Sequence, residues 1–141
     1  MKIISQWIDG RCFIASNERG NSIVMDGTSP DEGIKRGVSP MEVLLMGVAG
    51  CSSIDVVDIA KKQRQDVVDC IATVEAERAD SVPRVFTKIH IHFKVIGNQL
   101  KEETIAKAVQ LSADKYCSAS IMLGKAAPIT HSFEIVQRDA A

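Results

Sequence analysis

Residues Ser39 to Asp66 read SPMEVLLMGVAGCSSIDVVDIAKKQRQD, and this stretch decides the fold because it specifies one long helix. Ser39 can cap the first turn, and Pro40 suits the first helical position, where no amide donor is needed. Glu42, three residues after Ser39, can close a capping box. A helix from Pro40 to Gln63 would be about 36 Å long at the usual rise per residue, enough to cross a small domain. Val43, Leu44, Leu45, Met46, Val48 and Ala49 leave its first half without a polar stripe, which predicts burial on every side. The second half turns amphipathic. Between them the run Gly47 to Ser53 is built of small residues that let another backbone approach closely, and Cys51 sits at that crossing. From this stretch alone Cys51 is either a small buried thiol in a tight packing site or a reactive one.

Outward from the helix, composition narrows the class. The chain of 141 residues fits one domain, 1–141, and at 45% hydrophobic it can build a core, although the all-apolar half-helix calls for a partner to cover it. A net charge of −1, aromatics at only 4% and the lack of a basic run argue against nucleic acid. The opening MKIISQWID is interrupted by Asp9 too soon for a signal peptide, and no apolar run is expected to approach a membrane span. The expected location is the cytoplasm. There the four cysteines, Cys12, Cys51, Cys70 and Cys117, without a C-x-x-C pair, speak against both a static disulfide framework and a zinc motif. Any disulfide would be catalytic or transient.

Before the helix, Ile3 to Ile8, Arg11 to Ser16 and Ser22 to Met25 alternate as strands around turns at Asp9-Gly10 and Glu18 to Asn21, predicting an antiparallel meander with a structural Cys12. Asp26 to Val38 is a long loop that is functional or carries the meander to a partner chain. After the helix, Asp66 to Arg78 and Arg84 to Ile96 form a hairpin. Val68, Cys70, Ala72, Val74 and Ala76 share one face of its first strand, and Ile89, Ile91, Phe93 and Val95 point inward from its second. His90 and His92 share the outer face, where they are either a metal pair or, with Lys88 and Lys94 flanking them, a solvated strand surface. No metal site and no bound cofactor are expected.

Lys101 to Tyr116 follows as a second helix, with Ile105, Ala108, Val109, Leu111 and Ser112 on its buried side. Ser118 or Ser120 can cap a short third helix ending by Gly124, which sets Cys117 just before a helix N-terminus, where the partial positive charge favours thiolate. Cys117 is thus either a reactive cysteine or one filling a helix corner. A strand from Ile129 to Gln137 closes the chain, with His131 read as a surface residue.

At these two cysteines the sequence resembles the OsmC/Ohr family of osmotically induced and organic hydroperoxide resistance proteins. The pattern S-P-x-E-x-L-L-x-G-x-A-G-C-S spans Ser39 to Ser52, and K-Y-C-S-A-S spans Lys115 to Ser120. The run from Cys117 to Lys125 and the segment Ala76-Glu77-Arg78 are most similar to a less studied branch of that family. The resemblance implies an α+β fold: meander, long central helix, hairpin, two further helices and a last strand, in an intertwined homodimer with two active sites at the interface. It also implies chemistry. Cys51 would attack the peroxide oxygen and become a sulfenic acid, and Cys117 would condense with it to a disulfide that an external dithiol reduces. Leu45, Met46, Met122 and Leu123 are apolar neighbours suited to an organic hydroperoxide.

Two further site residues follow from the resemblance. The better-known members carry a glutamate directly after the motif proline, whereas this chain has Met41 there and its acid one position later at Glu42, a step of about 100° around a helix. Glu42 is either the acid of the site or only the capping residue. The arginine that pairs with the thiolate in the family is matched by Arg11 in the meander, with Arg36 as competitor. The reading is a thiol-dependent hydroperoxide reductase. Its rivals are a redox sensor with the same cysteine pair and a non-enzymatic binder of a small apolar ligand at the dimer interface.

Overall fold

The structure, a computed structural model, describes residues 1–138 and divides into two compact units, Met1–Met46 and the chain from Gly47 onward. In the first unit β1 (Ile3–Asp9), β2 (Cys12–Asn17) and β3 (Ser22–Asp26) pair antiparallel in that order, as the alternation predicts. The loop that follows is ordered by a buried carboxylate. Asp26 accepts the backbone N–H of Thr28 at 2.8 Å and that of Arg36 at 3.1 Å, with the Thr28 hydroxyl as a further donor. Those donors hold its pKa at about 2. Arg36 also pairs with Asp9 and lies 3.6 Å from Asp26. The loop returns to the meander at Val38, whose carbonyl accepts the Asp26 N–H at 2.9 Å. Gly37 permits this closeness, because a Cβ there would collide with the Val24 carbonyl oxygen.

Helix α1 (Pro40–Lys62) starts where Ser39 and Pro40 place it and stops one residue before the expected end. Half of the capping box is built: the Ser39 N–H donates to the Glu42 carboxylate at 2.9 Å, while the Ser39 hydroxyl accepts from the Lys35 ammonium. Val48, Ser52, Val56 and Ala60, four residues apart, form its buried stripe. The expectation of burial all round its first half is corrected, since Leu44 and Met46 are about half exposed, as is Ile54 further along. One chain covers one side of this helix and leaves the rest open. A second correction concerns membranes: by length and composition α1 is long and apolar enough to cross one. The same helix carries Ser52, Asp55 and Asp58 and turns the stripe of Val48, Ser52, Val56 and Ala60 to the protein.

In the second unit β4 (Asp66–Arg78) and β5 (Phe86–Asn98) form the long hairpin, and β6 (Ile129–Gln137) adds parallel to β5. Ile89, Ile91, Phe93 and Val95 are fully buried, so the inward face of β5 is the centre of this unit's core. A bulge between Val67 and Asp69 shifts the register of β4, so Val68 is exposed instead of sharing the inward face with Cys70. The parallel β6 requires a crossover, and α2 (Glu102–Leu111), a π turn (Ser112–Tyr116) and α3 (Ser118–Gly124) supply it. Ile105, Ala108 and Val109 are the buried side of α2. The expected single helix from Lys101 to Tyr116 is therefore two pieces, and the π turn that breaks it matters for the site.

Candidate active site

Cys51 lies mid-way along α1, and the π turn delivers Cys117 to it. The Cys117 N–H donates to the Ser112 carbonyl, five residues back, at 2.8 Å. One residue more than an α turn is thus inserted before α3, and such π turns recur at functional sites. Among the described residues the Sγ atoms of Cys51 and Cys117 and a carboxylate oxygen of Asp55 form one cluster, each within 4.8 Å of the others. All four cysteines are free thiols. Cys51 and Asp55 are partly buried and Cys117 is completely so.

Cys117 is itself the cap of α3: its sulfur accepts the Ser120 N–H at 3.4 Å, a task expected of Ser118 or Ser120. The expectation that the helix end would favour its thiolate is also corrected. Burial pushes the Cys117 thiol above its ordinary pKa, the hydrogen bonds from Ser120 oppose the rise, and the nearby Cys51 adds to it. A sulfur with no exposure loses more solvation than hydrogen bonding at the start of α3 returns. The Cys70 thiol is likewise raised by burial and by Asp69, Cys12 is 1% exposed in the other unit, and neither belongs to the cluster of Cys51, Asp55 and Cys117.

Asp55 was missed in the sequence, although Cys51 and Asp55 are four apart and so share a helix face, and Ser112 was expected only as a buried helix residue. The Ser112 hydroxyl lies 3.3 Å from the Ser52 carbonyl and 3.5 Å from the Asp55 carboxylate, tying the π turn to α1. Burial, with Asp58 nearby, raises the Asp55 pKa against the lowering effect of Ser112. Two thiols and a carboxylate at these separations could act as three ligands to a thiophilic divalent cation such as zinc. They could equally react with one another, which needs no ion.

The other expected site residues belong to the first unit. Arg11 pairs with Glu32 at 3.2 Å and both are exposed, whereas Arg36 is held by Asp9 and the buried Asp26. Glu42 serves the start of α1. On β5, His90 and His92 share a face as expected, and the Ser132 hydroxyl bridges them at 2.8 and 2.7 Å, with Thr130 on the second nitrogen of His90 at 2.7 Å. Hydroxyls of β6 meet these rings, and the Glu134 carboxylate of the same strand lies 3.8 Å from His92 Nε2. His131 is half-buried and stacked parallel to Phe93, with burial lowering its pKa, so it is not the surface residue expected.

The meander, the long helix and a thiol pair joined across a parallel crossover define an OsmC-like protein. The family profile of that description matches residues 30–132, and the chain belongs to this family. More particularly, it is 50% identical over 131 residues to Protein YhfA of Escherichia coli (strain K12), covering 93% of this chain and 95% of that one. A crystal structure of a hypothetical protein from Aquifex aeolicus VF5 is 26% identical, with a TM-score of 0.86 over 98% of this chain and 97% of the other. The organic hydroperoxide resistance protein OhrB of Bacillus subtilis shares the fold at a TM-score of 0.64 and 18% identity, covering 94% and 96% of the two chains.

Proposed function

We propose that the protein reduces organic hydroperoxides with its own thiols, and that the facing sulfurs of Cys51 and Cys117 carry this function. In the first step the Cys51 thiolate attacks the terminal peroxide oxygen. The O–O bond breaks, the organic alkoxide leaves as alcohol after taking a proton, and Cys51 becomes a sulfenic acid. In the second, Cys117 displaces the hydroxyl as water and forms the Cys51–Cys117 disulfide. An external dithiol in a reducing cytoplasm then returns both thiols and leaves oxidised. Family membership supports this reading, as does the name of the Bacillus subtilis neighbour. Arg11, which the family resemblance matches to the arginine of the site, is the cation proposed to favour the Cys51 thiolate. Glu42, whose carboxylate accepts the Ser39 N–H, is proposed to act at the start of α1 and not on the thiolate. A homodimer is proposed as the working unit, the partner covering the open side of α1.

The raised pKa of Cys117 favours one rival, a redox sensor, in which disulfide formation is slow and occurs once per signal. A peroxide titration separates the readings. Repeated turnover with a dithiol marks an enzyme and a single stoichiometric oxidation marks a sensor. No oxidation of Cys51 at all would overturn both in favour of a binder.

A further inference from the structure

We infer that Asp55 moves the proton in the disulfide-forming step: its carboxylate takes the proton of the Cys117 thiol and returns it to the hydroxyl that leaves Cys51. The inference rests on the hydroperoxide-reductase reading. Its warrant is geometric. A carboxylate oxygen of Asp55 lies within 4.8 Å of both sulfurs, a span closed directly or through one water in the reacting complex. Asp55 is held there from two sides, by its position one turn after Cys51 on α1 and by the Ser112 hydroxyl of the π turn that also sets Cys117. One hydroxyl donor leaves most of the lone pairs of a carboxylate free.

The step needs such a group at each end. The nucleophile must be a thiolate, and the completely buried Cys117 holds its proton more tightly than an ordinary thiol. The leaving group is a hydroxide, which departs poorly unless protonated as the S–O bond breaks. Asp55 meets both demands in turn. It takes the Cys117 proton, and the freed electron pair attacks Cys51 Sγ to form the S–S bond. The S–O bond then breaks, and the hydroxyl leaves as water with that same proton. Cys117 is oxidised, the Cys51 sulfenic sulfur is reduced, and the carboxylate ends as it began. The groups facing Asp55 are Cys51 and Asp58 on its own helix, Ser112 from the π turn and Cys117 at the start of α3. Burial and Asp58 raise its pKa, which makes it a stronger base than an exposed aspartate.

Asp55→Asn in the full chain, oxidised once with cumene hydroperoxide under stopped flow, tests this. Sulfenic acid is read by a dimedone trap and disulfide by peptide mass. Cys51 sulfenic acid should form within about threefold of the native rate, while disulfide formation at neutral pH slows at least about tenfold, and sulfenic acid accumulates. The deficit should shrink as the pH is raised, since a thiolate already present needs no base. A pH-independent deficit would assign Asp55 a packing role, and an unchanged disulfide rate would give it none. Either overturns the inference. Asp55→Glu, which keeps a carboxylate, should restore most of the rate even if the amide variant folds poorly, and an equally slow Asp55→Glu counts against it. Native protein that forms no Cys51 sulfenic acid defeats the hydroperoxide reading, and the inference with it. Native protein that cycles while Asp55→Asn keeps pace defeats the inference alone.

Discussion

The backbone N–H of Cys117 reaches five residues back to the Ser112 carbonyl at 2.8 Å, and this one bond sets where the second sulfur stands. An α turn would present position 117 rotated by about 100°. Inserting one alanine after Lys115, an exposed residue of the π turn, puts Cys117 six positions after Ser112 and should swing it by about 100° away from Cys51. The expected variant is folded by circular dichroism but forms no intramolecular disulfide with peroxide. A normal Cys51–Cys117 disulfide in that variant would show that the π turn does not position the thiol.

Mild oxidation by an organic hydroperoxide should link Cys51 to Cys117 and leave Cys12 and Cys70 reduced. The reason is proximity, since the sulfurs of the first pair lie within 4.8 Å of each other. Peptide mass mapping decides the pairing. Native rates of peroxide consumption by Cys51→Ser would contradict the assignment of the nucleophile.

Arg11→Ala should slow oxidation of Cys51 by about tenfold or more, as expected for losing a cation that lowers a thiol pKa by about 1 to 3 units. Glu42→Gln, which weakens the acceptor for the Ser39 N–H, should mainly cost on the order of 1 kcal/mol of stability. Stopped-flow rates and melting curves on both variants separate chemistry from capping. Should Arg36→Ala be the slow variant and Arg11→Ala not, the arginine of the site comes from the loop.

Asp26 makes the loop after β3 acid-sensitive. Its pKa falls from an ordinary 3.8 to about 2 on folding, so its contribution is full above the ordinary value and is lost as pH falls through about 2. Asp26→Asn should be less stable than native at pH 7, with the gap closing between pH 4 and 2. Urea unfolding across that range is the measurement, and a constant gap would rule out the carboxylate as its source.

The exposure of Leu44, Met46 and Ile54 on α1 leads to the expectation of a dimer at micromolar concentration. Sedimentation velocity reads it directly. Leu44→Glu should shift the population toward monomer, and a native monomer would remove the dimer from the proposal.

The sequence by itself determined most of the local order. The Ser39-Pro40-Glu42 signal placed the start of α1, two-residue alternation placed β4 at its observed ends, and the last strand was expected where β6 runs. These features depend on neighbours a few residues apart, so the pattern carries them. The sequence motifs also pointed to Cys51 and Cys117, and to the OsmC/Ohr resemblance that the family profile bears out. Tertiary structure alone decided the rest. The bulge that turns Val68 outward and the π turn before Cys117 are single-residue adjustments to long-range pairing, invisible to periodicity. The meeting of Asp55 and Ser112 joins positions 57 residues apart. The sign of the Cys117 shift depended on burial: the helix end predicted a thiolate, but desolvation in the folded unit outweighs hydrogen bonding from Ser120 at the start of α3.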